Sequence, residues 1–300
     1  MKVVVTGAAG RLAAALLPRL CAEPAITEIR AIDLRPQAAA HPKVVFHRAD
    51  FRGEVGRAAL AGADALAHLA FVVLRGRMPR DRMREINVAG TLALFAAARA
   101  AGVRRLVHLS SAAVYGSGGR LTEEAPLAPL PAFAYAQDKA AVERALATDF
   151  PHAARLRCHV IVGPNAQPLL RRMLAQPFYV KARGPEPQLQ CVHEDDAAEA
   201  VARAVLGSAA GPFNVAAEDS FSFADAVRRR HRRAIPVPMG AAKAWITMGW
   251  VLGGAFGEPG WVQGAGLPLT LDCGRAVKEL GWRPRHSSRA ALAAMVPERS

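Results

Sequence analysis

Tyr135 and Lys139, in the stretch YAQDK, are spaced i, i+4, so on a helix the phenol and the ammonium share one face. A phenol is a poor base at neutral pH, with a reference pKa of about 10. An ammonium about 4 Å away, in an effective dielectric of about 20, favours the phenolate by roughly 4 kcal/mol. That is enough to bring the pKa down by about three units, towards the operating pH. A serine hydroxyl holding the substrate oxygen would complete an apparatus for a secondary alcohol or ketone, with hydride moving to or from a nicotinamide. The stretch HLSSAAVYG, residues 108–116, supplies two serines and a rival tyrosine, Tyr115, straight after an apolar run. Alone, Tyr-x-x-x-Lys reads as an exposed helical pair; what stands before it in the chain reverses that reading.

TGAAGRLA, residues 6–13, follows a short valine-rich run and opens a helical stretch. Gly7 permits a tight turn, and Gly10 lets the backbone approach a pyrophosphate resting on the helix N-terminus. Ala13 stands where a third glycine often sits and is small enough for close helix–strand packing. The next apolar run ends at Asp33. A carboxylate there accepts hydrogen bonds from the adenosine ribose and repels a 2′-phosphate, which selects NAD over NADP, with Arg11 and Arg35 near enough to complicate the preference. Asp50, after a third run, reaches the adenine or simply caps its strand.

These groups need elements to hold them. Strands are expected over 2–6, 28–33, 44–46, 63–70, 104–110 and 155–162. Helices are expected over 11–21, 82–101, 135–148 and 195–206, the second closed by Gly102. The alternation means βαβ units, hence a parallel sheet with helices on both faces. Residues 164–187 are rich in proline and loop residues. The expected division is a dinucleotide-binding domain over 1–163, rejoined by about 190–217, and a mainly substrate-binding lobe over 164–300.

Composition narrows the function classes. The chain has 300 residues and a formal charge of +14. Its densest basic run, RRRHRR at 228–233, has no interleaved aromatic residues and no accompanying nucleic-acid motif, so a solvated helix end is expected and no nucleic-acid partner. Cys21, Cys158, Cys191 and Cys273 form no CxxC pair, which fits reduced cytoplasmic thiols. The first residues do not read as a signal peptide. The apolar stretch 244–256 is too short to span a bilayer and is interrupted by Gly249, Gly253 and Gly254. HEDD, at 193–196, reads as an acid-rich helix start rather than a metal site. No GxSxG surrounds Ser110 or Ser111, which argues against a serine hydrolase.

The ordered set TGAAGRLA, AIDLR, HLAF, NVAGT, HLSSAAVYG, YAQDK, IVGP, VHEDDAAEAV, FNVA and KELGWRP resembles the extended short-chain dehydrogenase/reductase family, the NAD-dependent epimerase/dehydratase group. The resemblance runs nearly end to end. It implies an α/β fold: a Rossmann doubly wound parallel sheet with a small C-terminal substrate-binding lobe, NAD as cofactor, a small-molecule substrate and a homodimer. It assigns catalysis to Ser111, Tyr135 and Lys139. It places the cofactor against Gly7, Ala9, Gly10, Arg11 and Leu12, against Asp33, Leu34, Asp50 and Phe51, and against Leu69, Ala70, Phe71 and Asn87, with Tyr135 and Lys139 at the nicotinamide ribose. Substrate contacts fall at Val73, Ala112, Ala113, Tyr115 and Val160.

Three departures from the family's pattern bear on the substrate. Dehydratase members carry Asp-Glu after the catalytic hydroxyl residue, where this chain has Ala112 and Ala113, so sugar dehydration is not expected. Nucleotide-sugar members carry an asparagine and an arginine where this chain has Val160 and Leu189, with Arg75, Arg77, Arg171 or Arg183 as the alternative phosphate ligands. The stretch 236–257 resembles members that act on lipophilic alcohols, while Trp245, Trp250 and Leu252 fit an ordinary core equally. The expectation is an NAD-dependent oxidoreductase for a lipophilic, sterol-like or small sugar substrate. The alternatives are a sugar or nucleotide-sugar epimerase, and a non-catalytic NAD-sensing or RNA-associated protein on the same fold.

Overall fold

The structure is a computed structural model that describes residues 1–36, 41–74, 76–181, 184–231, 233–242, 244, 248, 263–264 and 266–295. Val3, Val4 and Val5 are fully buried in β1 (Lys2–Thr6), with Val3 and Val5 in one apolar cluster and Val4 in another. A strand points alternate side chains to opposite faces, so an unbroken apolar run means that both faces are covered. Around β1 lie β2 (Glu28–Asp33), β3 (Val44–Arg48), β4 (Ala65–His68), β5 (Arg105–Ser111), β7 (Ala154–Cys158) and β11 (Gly211–Val215). Their order is β11-β7-β5-β4-β1-β2-β3, and every pairing is parallel. On one face pack α1 (Arg11–Ala22) and α7 (Glu194–Leu206); on the other, α4 (Gly90–Ala100) and α5 (Ala134–Asp149). This is the doubly wound sheet that the alternation of elements predicts.

Four elements depart from the sequence reading. The helix expected over 82–101 is three pieces: α3 (Arg80–Arg84), a π-helical turn (Glu85–Ala89) and α4. The wider turn buries Asn87 among polar partners, a demand that apolar periodicity does not report. The strand expected over 155–162 ends at Cys158, and Ile161–Val162 forms β8, paired instead with β10 (Val192–His193). The interruption is His159, whose Nδ1 accepts the N–H of Val160. The expected fourth strand, 63–70, is trimmed to four residues by its exit into the cavity wall. The loop-rich stretch 164–187 contains α6 (Pro168–Ala175) and β9 (Phe178–Lys181).

The lobe has its own core. Leu174 of α6, Tyr179 of β9, Ala224 and Val227 of α8 (Phe223–Arg230), and Ala291 and Met295 of the helix Ser288–Met295 pack together with Val162 and Cys191. β12 (Ile235–Pro238) pairs with β9, and β13 (Leu269–Leu271) with β6 (Gly118–Leu121). The chain returns to the main sheet through β10, α7 and β11, and again at Trp282, which is fully buried in the main core. Arg228, Arg229 and Arg230 occupy the last turn of α8, the helix end expected of the basic run. The stretch 244–256, with Trp245, Trp250 and Leu252, lies outside the described residues except for Ala244 and Met248, as do Arg75 and Arg183. Among the described residues no helix is long and apolar enough to cross a membrane.

Candidate active site

β1 hands the chain to α1 through a turn that only glycine fits. Gly7 has φ +74°, and a Cβ there would stand 2.7 Å from the amide nitrogen of Ala70. Its N–H donates to the Ile32 carbonyl at 2.9 Å, fixing the turn against β2. Gly10 caps α1 without a side chain, and no acid occupies the first turn, so the positive end of the helix stays open to an anion. Asp33 ends β2 and accepts the N–H of Ala9 at 3.0 Å and that of Arg35 at 2.9 Å. Arg11 is occupied elsewhere, donating to the carbonyls of Asn165 and Ala166 at 3.0 and 3.2 Å. Asp50 is gripped by Arg52, whose Nη2 lies 2.6 Å away, and this hydrogen bond holds its carboxyl below the usual range.

A cavity of about 890 Å³ opens from this loop. Gly7, Gly10, Arg11, Leu12, Asp33, Leu34, Asp50 and Phe51 line one end, and Leu69, Ala70 and Phe71 continue the wall from the end of β4. The glycine cradle, the open helix end and the acid at β2 fit a dinucleotide with its pyrophosphate on α1 and its adenosine ribose at Asp33.

β5 ends in two serines that part company. Both line the cavity, but the Ser110 hydroxyl is engaged, donating to Glu143 at 2.6 Å. Ser111 lines the cavity, and its Oγ accepts the N–H of Ala113 at 3.2 Å, capping the short turn Ala112–Tyr115. Tyr135, in the first turn of α5, also lines the cavity and is hydrogen-bonded to Ser111. Burial pushes its phenol up to about 12, with the Ser111 bond pulling the other way. Lys139, one turn on, is buried; its Nζ donates to the Leu109 carbonyl and lies 3.6 Å from the centroid of the Phe71 ring. The same Nζ is 5.9 Å from the Tyr135 ring centroid, and burial pulls Lys139 down to about 7.

Three expectations change here. Lys139 was expected to lower the Tyr135 pKa from close range. In the structure its ammonium is held by Leu109 and Phe71, desolvation dominates the phenol, and Lys139 does not itself line the cavity. Tyr115 was expected at the substrate. It is buried, its hydroxyl donating to Asn214 Oδ1 and accepting from Arg157 Nη1, both at 2.7 Å, because the turn at Gly116 (φ +78°) directs it behind the wall. Asn87 was expected at the cofactor. Its amide instead brackets Val72, accepting its N–H at 2.7 Å and donating to its carbonyl at 3.0 Å, so it fixes the chain that bounds the cavity.

Sequence reasoning missed Asp138. It is fully buried and accepts from Arg80 Nη2 at 2.5 Å and Nη1 at 2.8 Å, with Arg84 at 3.5 Å and Asn87 Nδ2 at 3.2 Å. Its position on α5 between Tyr135 and Lys139 was visible, but its partners come from a distant segment. It missed Phe71 as the seat of Lys139 for the same reason.

The far end of the cavity is apolar. Val73, Ala112, Ala113 and Val160 line it, joined by Met78, Phe133, Met173, Leu189, Phe221 and Leu292. Among the described residues the lining cations are Arg11, Arg35 and Arg52, all beside the dinucleotide loop. His159 and Gln190 also face it with their polar atoms engaged: His159 Nε2 by the Leu269 carbonyl, and Gln190 by the Ala217 carbonyl and the Leu271 N–H. His193, of HEDD, caps α7 by accepting the N–H of Asp195 at 3.2 Å, as a helix start requires.

A sheet of this order, with a glycine loop feeding α1 and an acid closing β2, defines a Rossmann dinucleotide-binding enzyme. The chain belongs to the NAD dependent epimerase/dehydratase family, whose family model matches residues 3–216, and NAD is its cofactor. An uncharacterized protein of Mycobacterium bovis is 31% identical over 97% of this chain and 82% of its own length. The 3beta-hydroxysteroid dehydrogenase/Delta(5)-Delta(4) isomerase 1 of Caenorhabditis elegans is 33% identical over 140 residues, 44% of this chain and 30% of the other. Among solved structures, the dTDP-glucose 4,6-dehydratase DesIV of Streptomyces venezuelae, with NAD and TYD bound, is 25% identical with a TM-score of 0.78, covering 99% of this chain and 96% of its own.

Proposed function

We propose that the protein is an NAD-dependent dehydrogenase or reductase for an apolar secondary alcohol or ketone. The observation that carries this reading is one cavity with a dinucleotide loop at one end, Ser111 and Tyr135 between, and a far wall without a described cationic side chain. A nucleotide sugar would bring a diphosphate against that wall, and buried charge without a partner is costly. Bound NAD supplies the hydride acceptor or donor. Ser111 holds the reacting oxygen, and Tyr135 takes its proton in oxidation or returns it in reduction. A phenol kept protonated by burial is ready to give its proton to a carbonyl oxygen. Lys139 supplies positive charge one turn behind. The reading extends to a cytoplasmic homodimer without a nucleic-acid partner, in keeping with four free thiols.

The test is NADH absorbance across a panel of hydroxysteroids, alicyclic and aromatic secondary alcohols, UDP-glucose and dTDP-glucose. Turnover is expected with the apolar alcohols and should fall at least about 100-fold in Y135F, the loss of a general acid–base group. Turnover confined to the nucleotide sugars sinks the reading. Epimerisation is the second reading, supported by the match to the NAD dependent epimerase/dehydratase family. An epimerase returns the hydride and keeps its cofactor, so stoichiometric NAD released on denaturation, with no net NADH formed, would favour it.

A further inference from the structure

Phe71 lines the cavity just beyond β4, and its ring face meets the ammonium of Lys139 at 3.6 Å. The same ring stands edge-on to Tyr135, with centroids 5.7 Å apart and planes at 90°. It also meets His108 at 6.3 Å. One aromatic side chain therefore touches both partners of the proposed proton-transfer pair. Lys139 is 2% exposed, and among the described residues its hydrogen bond goes to the Leu109 carbonyl. An ammonium has three N–H donors and no acceptor, so one carbonyl leaves most of its lost hydration to be replaced. A ring face within about 6 Å supplies such a partner, and does so most strongly where water is excluded.

We infer that Phe71 is the positioning residue of the catalytic pair: its π face keeps the Lys139 ammonium charged and seated behind Tyr135. The inference deepens the proposed function and rests on it for its catalytic meaning. The charged and titratable groups facing Lys139 are His68 on β4, His108 on β5, Cys158 on β7, and Tyr135, Asp138 and Glu143 on its own helix. Both histidines are buried and held neutral, so they add no charge at neutral pH. Asp138 and Glu143 are engaged by Arg80 and Arg157. Burial keeps the Cys158 thiol protonated, so among the described residues the ring face and the Leu109 carbonyl are the contacts that hold the ammonium.

The test is the titration of Lys139 in the full-length protein labelled with 15N at the lysine side chains, its signal assigned by its loss in K139M. Exchanging Phe71 for leucine keeps an apolar contact and removes the π face. F71L should lower the Lys139 midpoint by roughly one pH unit, the scale of a desolvated cation–π contact. F71Y, which retains the face, should restore it, and the remaining lysines should not move. If F71L does not fold, F71M makes the same comparison. An unchanged midpoint in the π-less variant overturns the inference, and so does an equal shift in F71Y, which would mean packing alone. The readout needs no substrate, so a failed alcohol panel would leave it standing, and an unchanged midpoint would leave the proposed function standing.

Discussion

At the residue scale, the choice between two tyrosines and between two serines rests on where the backbone sends each side chain. The tyrosine spaced four residues from a lysine faces the cavity, and Tyr115 does not. The place of Tyr135 was legible, because i, i+4 spacing is a local rule; that of Tyr115 was not, because its partners Asn214 and Arg157 come from other strands. The surroundings of Lys139 were not, because Leu109 comes from β5 and Phe71 from the loop after β4. Burial of this ammonium has a thermodynamic signature. Its pKa is lowered from 10.5 to about 7 in the folded protein, so between those values the unfolded chain binds the extra proton and stability rises with pH. The destabilisation is fully present below about pH 7 and disappears as the pH approaches 10.5. K139M should therefore be more stable than the wild type at pH 6 to 7, by urea denaturation, with the difference closing as the pH is raised to about 10. A gap that widens with pH would mean that burial of the ammonium is not the source.

At the element scale, what matters is how helices and turns are fastened to the strand ends that line the cavity. Asp138 fastens α3 to α5 through Arg80, and the π-helical turn adds Asn87 to the same carboxylate. R80A leaves a buried carboxylate with weaker partners and should cost roughly 3 kcal/mol of stability. Apolar runs were enough to find six of the seven strands of the main sheet and the first helix, but not β11 (Gly211–Val215). They were not enough for the π-helical turn, whose extra residue is absorbed inside an otherwise periodic run. Nor did they show the break at His159, which depends on a side chain bonding the next backbone N–H. At the loop, G7A forces a left-handed φ and a Cβ 2.7 Å from the Ala70 nitrogen. It should cost about 1–2 kcal/mol from the backbone alone, and more from the clash. The melting temperature and NADH affinity should fall together; a stable variant with full NADH affinity would show that the turn can relax.

At the scale of the whole molecule, the formal charge of +14 surrounds a cavity whose cofactor end is lined by three arginines. Such a field attracts an anionic dinucleotide and is screened by salt. The Kd for NADH, followed by its fluorescence, should rise several-fold as salt goes from about 50 to 500 mM, while binding of an uncharged steroid should not weaken. The lobe is where sequence told least, because its core is gathered from stretches far apart along the chain, between Val162 and Met295.

That threading limits how the cavity can open. Among the described residues the lobe core joins segments from Val162 to Met295, an arrangement that suits small sliding movements between helices better than a flap on one hinge. Leu292 and Met295 line the cavity from the helix Ser288–Met295. An affinity tag or a truncation at that helix would therefore reshape the wall of the cavity.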